Sequence, residues 1–202
     1  FCLMILINGN NFVDGINTLL INYYLIIFGT LLFFLPEFIH NTEFLKYFII
    51  LLLVILAFNL SGKIILGDSG SYVLGLFSGI YLINFSNQNL FISPFFIILL
   101  LWYPCFELLF SMIRRSGSKT TMYKPDIYHL HQLLFNLFKK KVHVKSNINH
   151  FIVSSLINFY NIIIIFIGVN YINQTEKLII IIILNLVIYT LIYFFLRKNK
   201  NY

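Results

Sequence analysis

The sequence predicts an all-α protein, a polytopic transmembrane helical bundle, on three observations. Of its 202 residues 59% are hydrophobic and 18% aromatic, while only 10% are charged; a soluble domain carries roughly 25% charged residues. Six apolar stretches have the length to cross a bilayer, whose core of about 30 Å takes roughly 20 helical residues. Runs such as Ile179 to Leu184 do not alternate polar and apolar positions, as the strands of a membrane barrel must.

The stretches are taken in order. Thr18 to Leu35 and Phe44 to Leu60 come first, followed by a short third stretch, Ser71 to Phe85. The fourth, Leu90 to Met112, is interrupted by Pro94 and Pro104, and His150 to Val169 and Leu178 to Leu196 complete the set. Ahead of them, Phe1 to Ile7 has neither the basic flank nor the cleavage site of a signal peptide. It reads as the end of a preceding helix, and the chain as the C-terminal portion of a longer one. With no internal repeat and no soluble domain, residues 1–202 form a single integral membrane domain whose long polar stretch is a loop over 113–149. Cys2 and Cys105 lie in apolar runs without CxxC spacing, which argues for packing residues and against a disulfide or zinc site.

The charge is lopsided, 14 Lys plus Arg against 7 Asp plus Glu, or +7 with the five His neutral. A nucleic-acid partner would need those cations on a wet face, and most of this surface must meet lipid. If successive stretches cross the membrane, the connections fall into two sets. Phe1 to Asn17, Ser61 to Gly70, Ile113 to Asn149 and Arg197 to Tyr202 hold 12 of the 14 cations. The positive-inside rule places this set, with the C-terminus, in the cytoplasm, and the plasma (inner) membrane is the expected location of the chain. Within the stretches, Asn22, Asn59, Asn158, Asn161 and Asn185 are expected to make interhelical hydrogen bonds. Glu107 is more costly in lipid and is expected to be buried or to line a pathway.

Three polar motifs fall on the basic face. The first runs from Asn8 to Thr18 and is mostly Asn, Asp and Gly; the spacing of Asn8, Asn11, Asp14 and Asn17 would stack four polar side chains along one side of a helix. The second is Gly67-Asp68-Ser69-Gly70-Ser71. Its glycines allow close approach of a ligand, Ser69 or Ser71 can cap the next helix, and free peptide N–H groups favour an anion. A carboxylate beside an anion suits magnesium, which takes one or two carboxylates and completes its shell with phosphate and water. GDSG also occurs in trypsin-like proteases, but those are barrels with a different setting. The third is the loop with Arg114-Arg115, Lys124-Pro125-Asp126 and His129-Leu130-His131, followed by Lys139 to Lys141. Two alternate histidines without Cys or Glu do not make a zinc site. Imidazole and guanidinium groups around a phosphate fit better, and the lysine run reads as a flank attracted to anionic lipid.

Together these motifs resemble those of the polyprenyl-phosphate N-acetylhexosamine-1-phosphate transferases, the glycosyltransferase 4 family. Asn8-Gly9-Asn10-Asn11-Phe12-Val13-Asp14-Gly15 is similar to the family's NAxNxxDG, Gly67 to Ser71 to its GDxGS, and Pro125 to His131 to its PDxxHxHH. The resemblance spans Asn8 to about Leu134. It implies transfer of a sugar-1-phosphate from a UDP-N-acetylhexosamine to polyprenyl phosphate, with release of UMP, at a magnesium site that manganese can also fill. It assigns Asp68 and Asn11 to the metal, Asp14 to ordering the site and Asn17 to the uracil. His129, His131 and Arg114 would hold the diphosphate or donor sugar, with Asn8, Gly67, Gly70 and Ser71 in the binding surface. The His-Leu-His pattern is more similar to the branch that begins polysaccharide synthesis on UDP-N-acetylglucosamine than to the peptidoglycan branch. The chain departs from the family at Asn17, where a second acid is common, at Ile65, where an aromatic stands, at Gln132, a third histidine, and at Glu107, an Asp. The family's paired aspartates would lie ahead of Phe1, so this chain is expected to hold part of the active site. Two other readings fit the same residues: a transporter or lipid-binding protein, from Glu107 and the broken fourth stretch, and a non-catalytic relative acting as a scaffold.

Overall fold

The computed structural model describes residues 1–116, 128–141 and 145–198. Among the described residues the regular structure is helical: α1 (Cys2–Val13), α2 (Leu19–Phe34), a 3-10 turn at Pro36–Phe38, α3 (Thr42–Leu60), α4 (Gly67–Gln88), α5 (Pro94–Leu100), α6 (Trp102–Ser116), α7 (Leu130–Lys141), α8 (Ser146–Val169) and α9 (Thr175–Lys198). Helices α3, α8 and α9 are each long and apolar enough to cross a membrane, and α5 with α6 make a fourth such element, bent by 74°. The sequence reading has six. The difference lies in α2, a shorter apolar helix, and in α4, which is interspersed with Gly and Ser; α1, read as the end of a preceding helix, is also short. Ile50, Val54, Leu184, Leu191 and Phe195 are exposed on α3 and α9, an apolar outer surface of the kind that lipid covers.

The core is built around α2, whose Leu19, Tyr23, Tyr24, Ile27, Phe28 and Leu31 are fully buried. It packs against α8 and α3, while α1 packs against α4 and α6, and α7 against α8 and α9. Polar side chains tie these helices together, as the sequence pattern predicts for four of the five asparagines. Asn59 Oδ1 accepts from Thr18 N at 2.6 Å, Asn158 donates to the Leu19 carbonyl at 3.1 Å, Asn161 Oδ1 accepts from the Trp102 indole at 2.9 Å, and Asn185 Oδ1 accepts from the Tyr160 hydroxyl. Asn22 is half-buried on α2. Thr18 has φ +69°, a conformation that is uncommon outside Gly. Its N–H bond to Asn59 and its hydroxyl bond to Ser154 at 2.8 Å hold it there.

The expected fourth stretch is two helices, for a reason visible in the sequence. Ser93 caps α5 and Pro94 opens it, while Pro104 lies in the first turn of α6 and has no N–H to give the Leu100 carbonyl four residues back. Tyr23 takes that carbonyl instead, donating its hydroxyl at 2.6 Å. Within 113–149, expected as a loop, α6 continues to Ser116, α7 covers Leu130–Lys141 and α8 begins at Ser146. Leu130 and Leu133 are buried and Leu134 and Leu137 pack behind them, an amphipathic repeat that a stretch read for its charges conceals.

Connections gather at two ends. Thr18, Asn59 and Ser154 meet at one, where Arg197, ending α9, also reaches the ring of Tyr128. At the other, Ser93 N–H donates to the Ile172 carbonyl, Ser93 meets Thr175, and Asn89 donates to the Phe38 carbonyl. These are the two sets into which the sequence sorts its cations.

Candidate functional site

The site begins with how closely α1 lies on its neighbours. A Cβ on Gly9 would stand 2.2 Å from the Pro104 carbonyl oxygen, and one on Gly75 would stand 2.6 Å from Asn10 Nδ2 and 3.1 Å from the Ile7 Cα. Only glycine permits these approaches. Asn10 is fully buried between them, exchanging hydrogen bonds with the Tyr24 hydroxyl at 2.7 and 2.9 Å and donating to the Ser71 carbonyl at 3.4 Å. Asn10 and Gly9 thus fix α1 against α4 and α6, and the next residue faces the start of α4. Asn11 Nδ2 donates to Asp68 Oδ1 at 2.7 Å and lies 3.5 Å from Ser71 Oγ.

The expected four-residue ladder does not form. Helix α1 ends at Val13 and Asp14 is its C-cap, so Asn8 and Asn11 stand on the helix while Asp14 and Asn17 lie in the elbow between α1 and α2. Asn8 is exposed and donates to its own helix at Met4 O, 2.7 Å. Asp14 turns toward α4, where the Gly67 peptide N–H donates to it. Burial pushes the Asp14 carboxyl up to about 7, the Gly67 bond works against that, and the charge of Asp68 adds to it. Gly67 has φ +62°, which a side chain would strain. The serines do not cap α4: Leu66 is the N-cap without a side-chain bond, and Ser71 Oγ donates to the Asp68 carbonyl at 3.0 Å. Asp68 is therefore exposed in an uncapped first turn, and Gly70 packs on Leu66, whose Cβ a side chain would meet at 3.2 Å.

The opposite side of the elbow is covered by the histidines. The His129 ring lies 5.0 Å from Phe12, and His131 Nε2 stands 3.1 Å from where a Cβ on Gly15 would be. The two imidazoles are parallel within 7° at 5.5 Å. Both are buried, and behind them is Glu107, 1% exposed. Its Oε2 accepts from His129 Nδ1 at 3.1 Å, its Oε1 accepts from the Leu130 peptide N–H at 3.2 Å, and His131 Nδ1 lies 3.8 Å from Oε1. Residues 11–15 are thus flanked by Asp68 and Gly67 on one side and by His129 and His131 on the other. An open depression of about 370 Å³ adjoins the elbow, lined by Gly15, Ile16, Gln132, Phe135 and His150 among others.

Of the sequence-predicted residues, Asn11, Asp14, Gly67, Asp68, Ser71, His129 and His131 come together around this elbow. Asn17 is half-buried further along it. Arg114 donates to Ser111 Oγ at 3.4 Å and its guanidinium lies 5.7 Å from the ring of Tyr128, the residue before His129, which Arg197 reaches at the same distance. Lys124, Pro125 and Asp126 lie outside the described residues. The partnership of Glu107 with the histidines was not read from the sequence; its one signal is a lone acid in an apolar helix. Among the described residues no cluster of three His, Cys, Asp or Glu offers a ready metal cage. Asp68 and Asp14 carry hard carboxylate oxygens of the kind that fit a magnesium ion sharing its shell with phosphate and water, and the Asn11 amide beside them turns its Nδ2 to Asp68. No protein-family model, curated protein or solved structure matches this chain.

Proposed function

We propose that this chain is part of a membrane transferase of the polyprenyl-phosphate N-acetylhexosamine-1-phosphate type, in the glycosyltransferase 4 family. It would move a sugar-1-phosphate from a UDP-sugar, UDP-N-acetylglucosamine being the best fit, to polyprenyl phosphate, releasing UMP. The observation that carries the reading is the convergence of three sequence-distant motifs on residues 11–15. In this reading the bundle crosses the plasma membrane several times and the site faces the cytoplasm, the side favoured by 12 of 14 cations.

The reaction forms a bond between a lipid phosphate oxygen and the sugar-linked phosphorus and breaks the bond to the bridging oxygen that leaves with UMP. It needs alignment of two anions and neutralisation of their charge. Asp68 and Asn11, with Asp14, would hold magnesium, or manganese in its place, which when bound neutralises the diphosphate. His129 and His131 offer ring nitrogens across the elbow, and the α4 peptide N–H groups that follow Gly67, whose own N–H goes to Asp14, favour the anion. Asn17 would reach the uracil. Beside α1, Leu3, Leu6, Ile83, Trp102 and Phe106 help line an apolar cleft of about 350 Å³, suited to the prenyl chain. Glu107, which in isolation suggested a transport pathway, has its carboxylate engaged by His129 and Leu130, which favours the transferase. The test is UMP release from UDP-N-acetylglucosamine by membranes carrying the full-length protein, with and without magnesium and polyprenyl phosphate. Magnesium-dependent release lost in Asp68→Asn is the expected result; substrate flux without UMP release would overturn it.

A further inference from the structure

We infer that Glu107 is a positioning residue that sets the orientation and tautomer of His129. The carboxylate comes from α6, yet both its oxygens are spent on the start of α7: Oε1 on the Leu130 peptide N–H and Oε2 on His129 Nδ1, with His131 Nδ1 at 3.8 Å. It therefore does two jobs. It caps α7 from outside the helix, where the first peptide N–H groups have no intrahelical partner, and it requires the proton of neutral His129 on Nδ1, because a carboxylate can only accept. Holding Nδ1 directs Nε2, across the ring, away from Glu107. For His131 that direction is fixed by observation, since Nε2 faces Gly15.

The burial of all three groups, 1%, 4% and 0% for Glu107, His129 and His131, makes the arrangement specific: a buried carboxylate without these donors would be strongly destabilising. A side chain that fixes which ring nitrogen is available sets the chemistry of an imidazole, as the outer partners of metal-bound histidines do. The consequence for turnover rests on the transferase reading; the geometry and tautomer do not.

Nitrogen-15 spectra of histidine-labelled full-length protein in lipid nanodiscs, recorded where the imidazole is neutral, report which nitrogen bears the proton. The His129 signals are identified by their loss in His129→Gln. The expected result is an Nδ1–H tautomer in the unmodified protein and a mixture in Glu107→Gln. An Nε2–H tautomer in the unmodified protein overturns the inference without any Glu107 variant, and so does an unchanged spectrum in a folded Glu107→Gln. In the UMP-release assay, Glu107→Gln should lower kcat/KM about 10- to 100-fold, the usual range for outer partners of a site, with part of the loss recovered in Glu107→Asp. A Glu107-dependent tautomer in a protein that releases no UMP would overturn the transferase and leave the positioning role standing. UMP release with a Glu107-independent tautomer would do the reverse.

Discussion

Two polar clusters flank the same elbow and are built on opposite principles. Asp68 is exposed and Asn11 and Asp14 are half-buried, with two carboxylates near one another, an amide and a peptide N–H around them, and one carboxyl pushed up to about 7 by burial. Glu107, His129 and His131 are sealed from solvent, with the acid matched to its donors. The first arrangement sets two carboxylates near one another, which suits the proposed cation. In the second, the carboxylate is matched by the His129 ring and the Leu130 peptide N–H and is bound into the bundle. Activity and stability should therefore separate between them.

The largest effect should come from Glu107→Ala, which strands two buried histidines and the start of α7. Loss of about 3–5 kcal/mol is expected, the usual result of removing one member of a buried ionic group, read from unfolding in detergent. Asp68→Asn should do the converse, lowering UMP release at least about 100-fold through lost charge stabilisation while moving stability by no more than about 0.5 kcal/mol, as exposed substitutions do. If the two variants behave alike, the contrast between the clusters fails.

Backbone approach supplies the next test. Gly75→Ala places a methyl 2.6 Å from Asn10 Nδ2, so α1 must shift from α4, with a loss of about 1–3 kcal/mol and of activity, because Asn11 and Asp68 separate. Gly29→Ala, with nothing within 4 Å of the new Cβ, should be neutral or add up to about 1 kcal/mol from helix propensity. Equal outcomes would mean that α1 is not seated as described.

The remaining effect is pH-linked. Because the Asp14 pKa is raised in the folded protein, from an ordinary 3.8 to about 7, the fold retains a proton that the unfolded chain has lost. Its contribution is fully present below about pH 4 and is lost as the pH rises toward 7. Melting temperature without magnesium should therefore fall across that window less steeply in Asp14→Asn than in the parent. Magnesium should flatten the parent's curve too, by favouring the ionised carboxyl. A parent curve that magnesium leaves unaltered would remove Asp14 from the metal site.

Composition and the non-alternating apolar runs were sufficient for the all-helical class with helices apolar enough to cross a membrane, because so few charged groups cannot cover so much apolar surface in water. Pro94 and Pro104 announced the break in the fourth stretch, since a missing N–H is a local fact. The three motifs and the sorting of cations into two sets were also legible, as they depend on residue type and order. What α1 does was not. The spacing of Asn8, Asn11, Asp14 and Asn17 suggested one continuous helical face, but Gly9 and Gly75 admit contacts with Pro104, Ile7 and Asn10 that no pattern within α1 contains, and the helix stops at Val13. Tertiary structure alone decided that Asn10 is a packing residue while Asn11 meets Asp68, and that Glu107 anchors histidines 22 residues and more away along the chain. Those are choices between neighbours distant in sequence, made by which groups close packing brings within hydrogen-bond reach.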